Sequence, residues 1–233
     1  MSFRLSDTFC AGNGYLFPRG VVEAPARKSI CSLAGFLLLL QLKFEYMLKL
    51  IKEHKRKKIL QRMQRQQYPV ILNLKDVHTV GVLFAASSQQ ALEEAQEIVA
   101  VLKKLKVDFC GAAVEAGKCF KNTVAREEYI EFCNGNNIDF ISRDSVNWIG
   151  KPGEAAAPQL EGKHFNLFIT LNNCNSFTVD YLAQLVDADC ISGMRNNSRI
   201  PCTLVVEPAS GEFSYSSYLE SLFDFLKSVN LKN

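Results

Sequence analysis

No two of the eight cysteines stand at CxxC spacing, and none of the three histidines (54, 78 and 164) pairs as HxH or HxxxH. These absences exclude the familiar zinc frameworks, so no metal site is expected. Several cysteines lie in apolar runs such as VDFCGAAV and IPCTLVV, where Cys behaves as a small hydrophobe. They are expected to be reduced thiols in a cytoplasmic protein rather than a disulfide framework. Glycine-rich phosphate loops are missing too. The turn after the first strong strand reads LFAASSQQALEEA, with neither GxGxxG nor GxxxxGK[ST], and no cofactor is implied. Long hydrophobic runs are lacking as well. The longest uncharged apolar stretch, Ser29 to Leu42, has fourteen residues, where a bilayer span needs about twenty. Arg27 and Lys28 precede it in the manner of a signal peptide, yet no small-x-small cleavage site follows.

What the chain does have is an uneven charge. From Met47 to Gln66 it reads MLKLIKEHKRKKILQRMQRQ, with eight cations and one acid. The remainder, Gln67 to Asn233, has 14 basic and 20 acidic residues. A basic helix, residues 47–68, is therefore expected to lead into a mildly acidic globular body. Its apolar residues Leu48, Ile51, Ile59, Leu60 and Met63 spread over about half the helix circumference and mix with cations. That mixing disfavours deep insertion into a membrane. Attraction to an anionic surface survives it, whether nucleic acid, ribosome or lipid headgroups, because charge attraction needs no sorted faces. Lys52, Lys55, Arg56, Lys57, Lys58 and Arg62 are the candidate contacts, and the side chains of Lys55, Arg56, Lys57 and Lys58 are expected to be solvated. The bland alternative is a helix docked on its own acidic body. Residues 1–29 hold turn formers and show no convincing periodicity. Met47 is a sensible start, and residues 1–46 are expected to be a poorly structured extension that packs little against the body, with a membrane anchor or signal, or a folded extension, as the alternatives. A cytoplasmic location, peripheral to a membrane if lipid is the partner, fits this pattern.

From residue 69 to 233 short apolar runs alternate with helical patterns. Strands are expected at Thr79–Phe84, in VDFCGAAV, at Ile138–Ser142, Phe165–Leu171, Asp189–Ser192 and Thr203–Val206. Helices are expected at Gln89–Leu105, Thr123–Cys133, Phe177–Val186 and Tyr215–Val229. Continuous apolar strands interleaved with helices indicate an α/β fold: a three-layer, Rossmann-like domain with a mostly parallel sheet of five or six strands. Such sheets bind ligands at the carboxyl ends of their strands.

Three segments fall at that edge. Ser87 or Ser88 can cap the following helix, or hold an anion at its N-terminus. The loop RDSVNWIGKP carries Arg143, Trp148 and Lys151. Two cations beside the only Trp can clamp a sugar, base or phosphate, or Trp148 can simply cover the sheet edge while Lys151 snorkels. In LNNCNS, Asn172 and Asn173 can address a ligand or form Asx turns. Cys174 has no adjoining acid or histidine, and His164 precedes its strand at the opposite edge, so a Cys–His pair is not expected. Glu93-Glu94 and Glu127-Glu128 read as solvated helix faces. No general base with a clear partner emerges. A binding or adaptor protein using the basic helix is the leading expectation, and a small sugar- or nucleotide-related enzyme or ligand sensor the alternative.

From Met47 onward the chain resembles an uncharacterised family of small bacterial α/β proteins. The resemblance rests on MLKLIKEHKRKK, TVGVLFAAS, SVNWIGKP, FNLFITLNN…FTVDYLAQLVDADCISG and YLESLFDFLKSVN. It implies the Rossmann-like fold and supports Met47 as the start, but carries no catalytic residues. The FNLFITL…LAQLVDADCISG stretch also faintly resembles one half of heptosyltransferase-type glycosyltransferases. Such transferases need a facing pair of domains, and only one is expected here.

Overall fold

Six short strands line up in parallel because most of their side chains are apolar and need cover on both faces. The computed structural model describes residues 27–63, 70, 72–194, 202–206 and 214–229, and for residues 27–34 only the backbone. The expectations for residues 1–26, for Gln64–Gln66 and for the break at Pro69 lie outside the described residues. The strands are β1 (Thr79–Ala86), β2 (Asp108–Glu115), β3 (Ile138–Ile141), β4 (His164–Leu171), β5 (Asp187–Gly193) and β6 (Leu204–Val205). The helices are α1 (Arg27–Met63), α2 (Ala91–Lys104), α3 (Thr123–Asn134), α4 (Phe177–Leu185) and α5 (Tyr215–Ser228). The sheet order is β3-β2-β1-β4-β5-β6, and every pairing is parallel.

Alternation along β1 sorts the core. Val80, Val82, Phe84 and Ala86 join the apolar cluster that holds the buried faces of α2, α3 and α5. Leu83 and Ala85 join the opposite cluster, with Val179, Leu182 and Ala183 of α4 and with Ala157 and Leu160 of the long β3–β4 connection. Helices thus cover both faces, and the three-layer α/β domain is as the sequence implies. Gly111 permits the closest backbone approach in the sheet. A Cβ there would collide with the Val82 carbonyl oxygen of the neighbouring strand.

Two local expectations are revised. Helix α2 is capped by neither serine. Gln90 occupies the cap position without a side-chain bond. Ser88, two residues earlier, accepts from Gln90 N at 3.0 Å and donates to Glu94 at 2.8 Å. Helix α1 also reaches twenty residues further back than the basic stretch. With no proline between Pro25 and Pro69 and a run of leucines, a strong helix former, the helix continues through Arg27–Tyr46 despite Gly35. By compactness the chain separates into Met1–Lys49 and Leu50–Asn233. The sheet and all that follows it belong to the second unit.

Candidate functional site

The carboxyl edge of the sheet is built from the loops after β1, β3 and β4, and the sequence candidates there form three separate groups. The first lies where the strand order reverses. β1 and β4 are neighbours, and their following chains diverge to opposite faces, which opens the crevice that such folds use for ligands. Ser87 donates to Asn173 Oδ1 at 3.1 Å across it. Asn173 and Cys174 are exposed and Ser87 half-buried.

Asn172 stands beside this pair but serves the fold. It is fully buried. Its amide nitrogen donates to the Ser176 carbonyl at 3.0 Å and to Asp180 Oδ1 at 2.8 Å, and its oxygen accepts from Ser176 N at 2.7 Å. An Asx turn of this kind bends the chain from β4 into α4. Of the two roles the sequence allows Asn172, the geometry takes the structural one.

The second group is Arg143, at the end of β3 and two strands away from β1. Its backbone N–H donates to Glu115 Oε2 at 3.2 Å, and its guanidinium donates to the Gly117 carbonyl at 3.3 Å. Arg126 completes the arrangement, 3.5 Å from the same Glu115 oxygen.

The third group is the tryptophan loop, and here the basic helix meets the sheet domain. Asn147 organises the loop by accepting from the backbone N–H groups of Ile149, Gly150 and Lys151 at 3.0–3.1 Å. A bridge between Val146 and Pro152 closes its base. The two carbonyls at the tip then receive outside donors. Thr178 of α4 donates to Gly150 O at 2.8 Å, and Arg56 of α1 donates through Nε to Ile149 O at 2.7 Å. The Arg56 guanidinium also lies 5.0 Å from the centre of the Phe177 ring and pairs with Glu53 at 2.8 Å. Gly150, at φ +99°, is buried beneath this contact, and a Cβ would come within 3.2 Å of Arg56 Nη2. Next to it Lys55 Nζ stands 4.9 Å over the Trp148 ring, and Lys151 Nζ stands 5.7 Å over Tyr181. Trp148 itself remains 56% exposed.

The expectation that Lys55, Arg56, Lys57 and Lys58 are solvated therefore fails at Arg56. Its side chain is only 21% exposed, because it fills a slot between a carbonyl and an aromatic ring. Lys52 is half-buried as well, and desolvation, with Arg56 nearby, pulls its ammonium below the usual lysine range. Lys55, Lys57, Lys58 and Arg62 are exposed. Leu60 is buried and Ile59 half-buried, so this end of α1 packs by apolar contact as well as through arginine.

The sequence did not single out the amino edge of the sheet. There His164 opens β4 between two β5 carboxylates, with Nδ1 3.0 Å from Asp187 and Nε2 3.2 Å from Asp189. Both bonds raise its pKa above the usual imidazole range. Asn166 links the same corner to β1, accepting from Thr79 N and Oγ1 and donating to Asp189. Two shallow cavities of about 450 and 520 Å³ adjoin, both lined by Lys163 and His164. The only prior signal was the His-Phe-Asn start of β4 opposite Asp-Ala-Asp, a pairing that needs the register to be seen.

Among the described residues no group of His, Cys, Asp and Glu is arranged to hold a metal ion. The six cysteines described are free thiols. Burial pushes the Cys133 thiol up to about 12 and those of Cys119, Cys190 and Cys202 up to about 11. Such thiols are poor nucleophiles at neutral pH. No helix among the described residues is long and apolar enough to cross a membrane.

No curated protein and no solved structure matches the chain. The likeness to heptosyltransferase-type glycosyltransferases thus has no support. A family profile does match, over residues 48–229, which span α1 from its basic half, the loop with Trp148 and the whole sheet domain. The chain belongs to that family, DUF6913, a family of unknown function.

Proposed function

We propose that this chain is a non-catalytic binding or adaptor protein that contacts an anionic partner through the cations of α1. The observation that supports this is the division of labour along the helix. Arg56 is turned inward, where it anchors α1 to the tryptophan loop, while Lys55, Lys57, Lys58 and Arg62 stay exposed. A helix seated through Arg56 and Leu60 presents its exposed charges as a fixed array, which favours fast, charge-steered encounter. The carboxyl-edge candidates, by contrast, fall into separate groups whose polar atoms largely bond to one another or to nearby backbone. A cytoplasmic location, peripheral to a membrane where lipid is the partner, belongs to the same reading.

The test is retention on heparin at low salt. Lys57→Gln, Lys58→Gln and Arg62→Gln together are expected to elute much earlier than wild type, with the difference shrinking as salt rises. No retention of wild type at low salt would remove the reading. A second reading, a nucleotide- or sugar-binding sensor or enzyme, has one observation in its favour: Ser87 and Asn173 meet at the crevice between β1 and β4. A melting shift with a nucleotide or nucleotide-sugar that is abolished by Asn173→Ala would move the assignment there.

A further inference from the structure

We infer that the anionic partner is a lipid bilayer, and that the apolar stretch Phe36–Leu42 of α1 enters the acyl chains of one leaflet while the cations that follow stay among the headgroups. This rests on the proposed contact between α1 and an anionic partner, and it names that partner.

Phe36, Leu37, Leu38, Leu39 and Leu40 are consecutive and are between 48% and 62% exposed. At about 100° per residue, five consecutive positions cover the whole circumference of a helix. Leu42, Phe44, Tyr46, Met47, Leu48, Leu50 and Ile51 continue the exposed apolar surface. A helix that docks in a protein groove needs one apolar stripe and keeps a polar back. One that is apolar all round needs an apolar medium all round.

Charge selects among such media. Arg27 and Lys28 precede the apolar stretch, Lys43, Glu45 and Lys49 interrupt its continuation, and the exposed cations Lys55, Lys57, Lys58 and Arg62 follow on the same helix, so positive charge prevails along it. Acidic headgroups over an acyl interior satisfy both demands at once, each cation near the surface adding to the attraction. A nucleic acid would use the cations and leave the leucines in water. A second copy aligned in parallel would cover the leucines but bring like charges together. Length decides how the helix enters. The fourteen uncharged residues Ser29–Leu42 rise about 21 Å at 1.5 Å per residue, short of the roughly 30 Å hydrocarbon core, so α1 enters the surface without crossing it.

The experiment is flotation of the full chain with phosphatidylcholine vesicles, with and without phosphatidylglycerol, run beside heparin retention. Wild type is expected to float with the anionic vesicles at low salt. Leu38→Gln, Leu39→Gln and Leu40→Gln together should weaken vesicle binding about tenfold or more, since burial of each leucine is lost, while heparin retention stays as in wild type. Circular dichroism and the melting midpoint of the sheet domain should be unchanged in that variant. Heparin retention without vesicle binding would overturn the lipid assignment and leave the anionic-partner reading standing; loss of both would overturn both. A leucine variant that floats as well as wild type would also sink the inference. So would equal binding of duplex nucleic acid by wild type and the leucine variant in the absence of flotation, or a wild-type dimer abolished by the leucine changes with no vesicle binding.

Discussion

Arg56 donates to the backbone carbonyl of Ile149 at 2.7 Å, across 93 residues of sequence. This bond turns a basic helix from an appendage into part of the sheet domain. Arg56→Gln is expected to lower stability by about 1–3 kcal/mol, the range for a charged donor to a carbonyl, and to open α1 to trypsin between Lys52 and Arg62. Urea unfolding and limited proteolysis read the two effects. A variant as stable and as resistant as wild type would show that the contact does not hold the helix.

Gly150 makes that approach possible, since its positive φ and lack of a Cβ leave room for the guanidinium. Gly150→Ala should cost about 1–3 kcal/mol, from backbone strain and displacement of Arg56 together. Because the two residues touch, the double variant Arg56→Gln with Gly150→Ala is expected to lose less than the sum of the single losses. Additivity in a double-mutant cycle would argue that Gly150 acts through its backbone alone.

The sheet was readable in the sequence because each strand is an apolar run between turn signals, and local pattern carries that information. All six strands fall within a few residues of their expected bounds. Helix α1 was underestimated because a leucine-rich run gives no helical periodicity to read. The site was less legible for a different reason. Asn172 and Asn173 are adjacent and chemically identical, yet one is fully buried and the other exposed. Among the cations of α1, Arg56 faces a carbonyl, and that depends on where a loop 93 residues away ends up. Sequence gives the residue types at an edge, but burial divides their roles.

Asn172 holds the turn into α4 through three hydrogen bonds. Asn172→Ala removes all three in a buried setting and takes from Asp180 the donor to its Oδ1. The expected loss is about 1–3 kcal/mol, seen as a lower urea midpoint. Asn173→Ala, one residue on and exposed, should leave the midpoint nearly unchanged. Equal effects at both positions would contradict the division of roles.

His164 sits between Asp187 and Asp189, so its folded pKa lies above the ordinary imidazole range. A raised folded pKa means the stabilisation is fully present below the unfolded value and is lost as pH rises through the folded one. The stability difference between wild type and His164→Ala should therefore be largest below the ordinary imidazole pKa and shrink as pH rises through the raised folded one. It will be small at any pH, because the ring is half exposed to solvent. Nuclear magnetic resonance titration is the direct check. The His164 midpoint should fall in Asp187→Asn, which removes the first cause of the shift, and fall further when Asp189→Asn is added.

A chain starting at Met47 should fold with the same melting midpoint as the full chain. The residues that seat α1, Arg56 and Leu60, lie beyond Met47. The compact division at Lys49 falls close to the same place. Such a chain retains all the cations from Lys49 to Arg62, so heparin retention should survive. It loses most of the apolar surface, so flotation with anionic vesicles should weaken as it does in the leucine variant. Thermal melts, heparin elution and flotation on the two chains separate these effects. A clearly lower midpoint for the shorter chain would mean that residues before Met47 support the sheet domain after all. Undiminished flotation would place the lipid contact in the basic half of α1 alone.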